Sequence, residues 1–201
     1  MGLLTEALEE ALREERDLRD QTFENEDGPE LSPGSMDWTG CTFTGCHMTD
    51  CRFQHTGFQN VLFDRCDLSG CRFFENGLKS VIFRDCRLMG TVFTNCTLSE
   101  IQMIDCGARY LYLSGCTLKK STLQGGTFQG GAMIGLKSQK VQLTGCDFTG
   151  CDFRGTDFRG YDFSTCVIEG CTWSPDKLKN MTVNLQQAVE LSRLLGLIIV
   201  P

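Results

Sequence analysis

The chain has 201 residues and a formal net charge of −7, with 13 cysteines and only 2 histidines. That length suits one domain with short ends. The longest apolar run, near Leu194 to Val200, is far too short to span a bilayer. Two histidines leave little material for acid–base or metal chemistry, and a Ser/His/Asp triad needs a histidine oriented by a carboxylate.

In chain order, the segment from about Leu3 to Leu18 reads as a helix. Leu4, Ala7, Leu8, Ala11 and Leu12 form its apolar stripe, set among Glu and Arg. It resembles no signal peptide, since it is acidic and amphipathic. From Asn25 to Gly34 the chain is rich in Glu, Asp, Gly and Pro and reads as a loop. Residues 1–35 are therefore expected to form an N-terminal segment, either capping the repeats beyond it or offering a helix to a partner or a second protomer.

From Phe43 to Val183 every fifth residue is almost always Phe, Leu or Met, without a slip, and Trp38 extends the run backwards. A period of five fits neither the helix nor the flat strand. A coil of four such segments, 20 residues in all, turns every fifth side chain inward. One column then reads Phe43, Phe63, Phe83, Met103, Leu123, Leu143, Phe163, Val183; another reads Phe53, Phe73, Phe93, Leu113, Met133, Phe153, Trp173. Like stacks on like, as a close-packed interior prefers. Each buried Leu or Phe contributes roughly 1.5–3 kcal/mol. Phe43, Phe63, Phe83, Phe53, Phe73, Phe93, Phe153 and Trp173 are the expected core. Residues 36–183 form the solenoid, and no loop interrupts it.

Two residues before each centre the sequence prefers a small side chain. All the cysteines stand there, with Val61, Thr91, Ser121 and Gly126 among the others. The spacing Cys-x4-Cys puts successive thiols on different faces, unlike a metal site. Within a column, Cys46, Cys66, Cys86 and Cys106 fall about 5 Å apart, inside the disulfide range, but as parallel side chains in a packed column. They are expected to be small buried hydrophobes without metal or disulfide, which suits a reducing cytosol and a cytoplasmic protein.

These repeats resemble the pentapeptide-repeat family: small, polar, central Leu or Phe, then two variable residues. Cys-Asp-Phe-Thr-Gly-Cys-Asp-Phe-Arg-Gly-Thr-Asp-Phe-Arg-Gly, from Cys146 to Gly160, shows the pattern. The resemblance implies an all-β solenoid, a right-handed quadrilateral β-helix. At about 4.8 Å per coil the rod would be roughly 36 Å long.

The final segment, 184–201, reads as a second amphipathic helix from about Asn184 to Leu195 and an apolar tail. Asn184 suits an N-cap and Gly196 a stop. Leu185, Val189, Leu191, Leu194, Leu195, Leu197, Ile198 and Ile199 are the expected interface of a two-fold homodimer, since they exceed what one coil end must hide. Thr-Trp-Ser-Pro-Asp-Lys-Leu at 172–178 and Gln-Gln-Ala-Val-Glu-Leu-Ser-Arg-Leu-Leu-Gly-Leu-Ile-Ile at 186–199 resemble the ending of quinolone-resistance pentapeptide-repeat proteins. In that group a short helix and tail pair two β-helices end to end.

That resemblance implies a non-catalytic DNA mimic that binds DNA gyrase or topoisomerase IV and relieves quinolone or toxin poisoning. The alternative is a passive protein-interaction scaffold, because fold alone does not set function. Neither reading involves a cofactor, direct nucleic-acid binding or a membrane. Charge tempers the mimic: residues 1–37 hold twelve acidic against three basic side chains, but residues 38–183 hold thirteen against fifteen. Asp147, Asp152, Asp157 and Asp162 precede four successive centres and are the candidate topoisomerase-facing carboxylates. Lys119, Lys120, Lys137 and Lys140 form a basic zone beside them. His47 and His55 fall at outward positions. The absence of interrupting loops points to weak quinolone protection or to another poison.

Overall fold

The computed structural model describes residues 2–198 and Val200. The repeats wind into a quadrilateral β-helix. Two seven-stranded and one five-stranded parallel sheets form three faces. The remaining face is a ladder of single bridges from Asp27 through His47, Asp67, Arg87, Gly107 and Thr127 to Asp147 and Val167. Every pairing steps by 20 residues, as in Phe63↔Phe83↔Met103, so no loop breaks the frame.

We number the faces by their order in a coil. The first carries the column from Leu18 and Trp38 to Ser138, and the second runs from Phe23 to Leu143. The third is the bridge ladder, and the fourth is built from Arg52–Gln54 to Ala132–Ile134. Phe43, Phe53, Phe63, Phe73, Phe83, Phe93, Phe153 and Trp173 are all buried. Their rings stack down the columns, with Phe63 and Phe83 centroids 5.2 Å apart and Phe73 and Phe93 4.5 Å apart.

Small polar side chains link the coils from within. Cys66, Cys86 and Cys106 each donate Sγ–H to the carbonyl of Phe43, Phe63 and Phe83, all at 3.3 Å. Thr91 Oγ1 and Asn76 Nδ2 do the same toward Leu68 and Phe53. Where the position is polar it thus supplies a compact donor to the coil before, whereas Val61, Val81, Ile101 and Leu111 fill it by volume alone. All thirteen cysteines are free, and only Cys171 is less than fully buried.

At most corners, two residues past the centre, the backbone is left-handed. Gly70 adopts φ 71°, and a Cβ there would collide with the Asp50 carboxylate from the coil before. Asn60 and Asp50 also take positive φ in such corners, consistent with their tolerance of αL.

The N-terminal segment differs from expectation. Helix α1 spans Leu3–Arg13 and stops short of Leu18. Glu15 turns left-handed at φ 51°, with Arg16 N–H donating to Ala11 O and Glu15 N–H to Leu12 O, a Schellman ending. Leu4, Leu8 and Ala11 are buried, whereas Leu12 is about half exposed on the flank of that stripe. The stretch expected as a loop is a coil of the solenoid. Leu18–Arg19 pairs with Trp38–Thr39, Thr22–Glu24 pairs with Thr42–Thr44, and Asp27 bridges His47. Its centres at Gly28 and Pro33 lack the apolar signature. The gap at Gly28 is filled from outside: a Cβ there would lie 2.8 Å from Leu31 Cδ1 and 3.1 Å from Leu4 Cδ2. Helix α1 thus supplies to the first coil an apolar side chain that its own repeat omits.

At the other end α2 spans Leu185–Ser192, followed by a 3-10 turn Arg193–Leu195 and Gly196 at φ 73°. Asn184 and Gln187 form a capping box. Gln187 is the buried residue of this helix and donates to the carbonyls of Phe163 at 2.8 Å and Cys166 at 2.6 Å. These last-coil carbonyls need donors that a next coil would otherwise supply. The apolar residues face elsewhere: Leu185 is 84% exposed, Leu195 72% and Ile198 91%. Leu191 packs partly against the core. Ile199 lies outside the described residues.

Candidate functional site: the outward faces of the rod

In each repeat the residues flanking the centre point outward, so the surface is written in columns of period 20. The four candidate aspartates sit one on each face. Asp157 is on the first, Asp162 on the second, Asp147 on the third and Asp152 on the fourth. They ring one coil and do not converge.

Each also serves its own turn. The carboxylates accept from the backbone N–H two residues on: Thr149 to Asp147 at 2.9 Å, Arg154 to Asp152 at 3.0 Å, Arg159 to Asp157 at 3.1 Å and Ser164 to Asp162 at 2.8 Å. Such Asx turns satisfy backbone donors where strand gives way to turn. Asp152 and Asp157 are further engaged by the guanidinium groups of Arg154 and Arg159, which hold both carboxyls below the usual carboxylate range. For Asp147, burial pushes the carboxyl up, and hydrogen bonds from Thr149 and Gln129 overcome that and keep it low. The Ser164 hydroxyl and N–H lower Asp162. All four ionise readily, but two are neutralised in place.

The faces themselves sort the charge. The third face carries Asp27, Glu30, Asp50 and Asp67 near the N-terminal end and Asp147 and Glu169 near the other, with Arg87 and Arg109 between. The opposite, first face carries Lys119, Lys120, Lys137 and Lys140, continued by Lys177 and Lys179. All the lysines of the chain thus lie on the first face, beside Glu100, Asp157 and Asp176, while the acids are spread over the other faces as well as the third. Period-five reading hid this, because successive repeats belong to different faces.

The two histidines are exposed and paired with acids. His47 Nδ1 lies 3.2 Å from Asp27 Oδ1 on the third face, and His55 Nδ1 lies 3.3 Å from Glu75 Oε2 on the fourth. Among the described residues no group of His, Cys, Asp or Glu has a metal-binding arrangement. No helix there is long and apolar enough to cross a membrane.

The structure is a solenoid of stacked five-residue repeats with an apolar terminal helix. The chain belongs to the pentapeptide-repeat family. The description "pentapeptide repeat region" matches residues 56–132, and "pentapeptide repeats (8 copies)" matches residues 39–70 and 139–171. Among solved structures it is similar to a trypsin-treated form of QnrB1, a plasmid-mediated fluoroquinolone resistance protein. There the identity is 20%, the TM-score is 0.61, and 92% of this chain and 93% of the other are covered. It is also similar to HetL, a pentapeptide repeat protein involved in heterocyst differentiation regulation from the cyanobacterium Nostoc, at 14% identity, TM-score 0.35 and coverage of 90% and 94%. A pentapeptide repeat protein from the cyanobacterium Cyanothece aligns at 15% identity and TM-score 0.29, over 90% and 99%. Among curated proteins no relative matches the chain. The likeness to QnrB1 is one of fold.

Proposed function

We propose that this protein binds a type II topoisomerase, DNA gyrase or topoisomerase IV, as a protein surrogate of duplex DNA, and so shields the enzyme from quinolones or a related toxin. The observation that carries the reading is the acidic third face. Its carboxylates gather toward the two ends of a narrow rod, at Asp27, Glu30, Asp50 and Asp67 and again at Asp147 and Glu169, with the lysines kept to the opposite side. An enzyme surface shaped for B-DNA attracts such an array, and the attraction weakens with salt. The fold shared with a fluoroquinolone resistance protein is consistent with this use. The face replaces the ring as the contact: Asp27, Glu30, Asp50, Asp67, Asp147 and Glu169 act together, and of the four ring aspartates only Asp147 belongs to it.

The reading includes a homodimer. Leu185, Val189, Leu194, Leu195, Leu197 and Ile198 are exposed at one end of the rod. A two-fold pairing there removes apolar surface from water and doubles the length of the acidic track.

The test is gyrase supercoiling with purified protein titrated in, with and without ciprofloxacin, at two salt concentrations. Salt-sensitive inhibition, or loss of drug-induced cleavage, supports the reading when it is weakened by Asp67→Asn with Asp147→Asn. No effect at high protein concentration, or an effect indifferent to those changes, ends it.

A further inference from the structure

The fourth face carries a surface that acidic DNA mimicry does not use. Outward side chains of its neighbouring strands run Arg52, Arg72, Val92, Tyr112 in register, one per coil. Like charges directly opposite on paired strands repel, yet neither Arg52 nor Arg72 has a carboxylate within ion-pair distance among the described residues. On the same face the Glu75 carboxylate lies against the His55 ring, 3.3 Å from Nδ1, and pairs with neither arginine.

Beside these arginines the rod exposes large apolar groups. Phe74 follows Arg72 by two residues on the same strand and is exposed, as is Tyr112 two strands away. At the adjoining corner Met89 and Tyr110 are more than half exposed. Gly90 N–H donates to the Arg109 carbonyl at 2.9 Å, which sets the Met89 corner directly against the corner of Arg109 and Tyr110. The Arg109 guanidinium lies 5.7 Å from the Tyr110 ring centre. Tyr, Phe, Met and Arg are enriched at protein interfaces, and Tyr and Arg among their hot spots. A soluble rod otherwise gains nothing from placing them together in water.

We propose that this patch, centred on Arg72, Phe74, Met89, Arg109, Tyr110 and Tyr112, docks an acidic segment of another protein that also carries apolar anchors. The charge decides the sign of the occupant: Arg52 and Arg72 have no carboxylate within ion-pair distance among the described residues, so a carboxylate-bearing partner supplies one. The size suits a short segment, because two coil steps from Arg72 to Tyr112 cover about 10 Å. Nucleic acid fits less well. A strand of phosphates asks for a continuous cationic track, whereas here Val92, Phe74 and Met89 interrupt it and the lysine row lies on another face.

The experiment is selection of a random displayed peptide library on the purified full chain. Selected peptides are then titrated against wild type, Arg72→Glu, Tyr112→Ser and Gln142→Glu. The last lies on the second, opposite face and is a control that also adds negative charge. All three positions point outward, and matched melting temperatures confirm folding. The expected result is enrichment of peptides combining Asp or Glu with aromatic or aliphatic residues. Their affinity falls roughly tenfold or more in Arg72→Glu and in Tyr112→Ser and holds in Gln142→Glu. Basic or uncharged winners, no enrichment, or equal binding by all variants overturns the proposal. So does a labelled oligonucleotide that binds and is lost with Arg72→Glu while no peptide does. Gyrase is absent from this assay, so its outcome and that of the supercoiling test are read separately.

Discussion

The thiol of Cys71 donates to the carbonyl oxygen of Met48 at 2.8 Å, from one coil to the coil before it. Thr91, one coil further along the same column, makes the equivalent bond to Leu68 at 2.8 Å. The position therefore accepts Cys or Thr for one physical reason: it fills a small space and donates to a buried carbonyl. Cys71→Thr is expected to keep stability close to wild type. Cys71→Val fills the space but withdraws the donor, at about 1–3 kcal/mol. Urea melts of the two variants check this; equal midpoints would show that volume alone matters.

Burial keeps the thiols of Cys106, Cys151 and Cys171 protonated. Desolvation is the leading cause at Cys106 and Cys151, pushed up to about 11, and at Cys171, pushed up to about 12. In the unfolded chain a thiol loses its proton near pH 8.5. A folded pKa above the unfolded one means that the stabilisation is complete below about pH 8.5 and is lost as pH rises toward the folded values. Each such thiol removes about 1.4 kcal/mol per pH unit in that window. Denaturant melts from pH 7 to pH 10 should hold level to about pH 8.5 and then fall, more steeply than in Cys106→Thr with Cys151→Thr. A thiol reagent at neutral pH should label native protein slowly and unfolded protein completely. Rapid labelling of most cysteines in folded protein would contradict the packed-column account.

Phe83 sits between Phe63 and Met103 in the second-face column, with the Phe63 ring parallel to its own. A stacked column cannot collapse sideways into a hole, because each coil is held by the one above and the one below. Phe83→Ala is expected to cost about 3–5 kcal/mol. Phe83→Leu, which matches Leu123 in the same column, should cost far less. Thermal melts distinguish the two, and a melting temperature for Phe83→Ala within a degree of wild type would refute the column.

The core was legible in the sequence because one rule, five residues per face, places every centre from Phe43 onward. The first coil was not, since Gly28 and Pro33 occupy two of its centres and the space at Gly28 is filled by Leu31 of the next repeat and by Leu4 from helix α1. A pattern search cannot see a side chain supplied by another segment. Gln187 was missed for a related reason: amphipathicity draws attention to Leu185 and Val189, while the helix is anchored by an amide answering the Phe163 and Cys166 carbonyls. Five-residue spacing sends the four candidate aspartates around one coil, and only reading at 20 reveals that Asp27, Asp67 and Asp147 share one face.

The exposed C-terminal surface makes the last prediction. Asn184 and Gln187 tie α2 to the final coil, so the helix is held while Leu195 and Ile198 remain in water. Leu195 is 72% exposed and precedes the left-handed Gly196 that turns the tail. If this surface joins two rods, Leu195→Asp places a charge in the apolar centre of the contact and should yield a soluble monomer by light scattering. Its thermal stability as a monomer should be little altered, because no core contact is lost. Gln187→Leu makes the contrasting case: it leaves the Phe163 and Cys166 carbonyls without their donor, so it should lower the melting temperature whatever the oligomeric state. A wild-type mass for Leu195→Asp would sink the dimer, and with it the doubled acidic track.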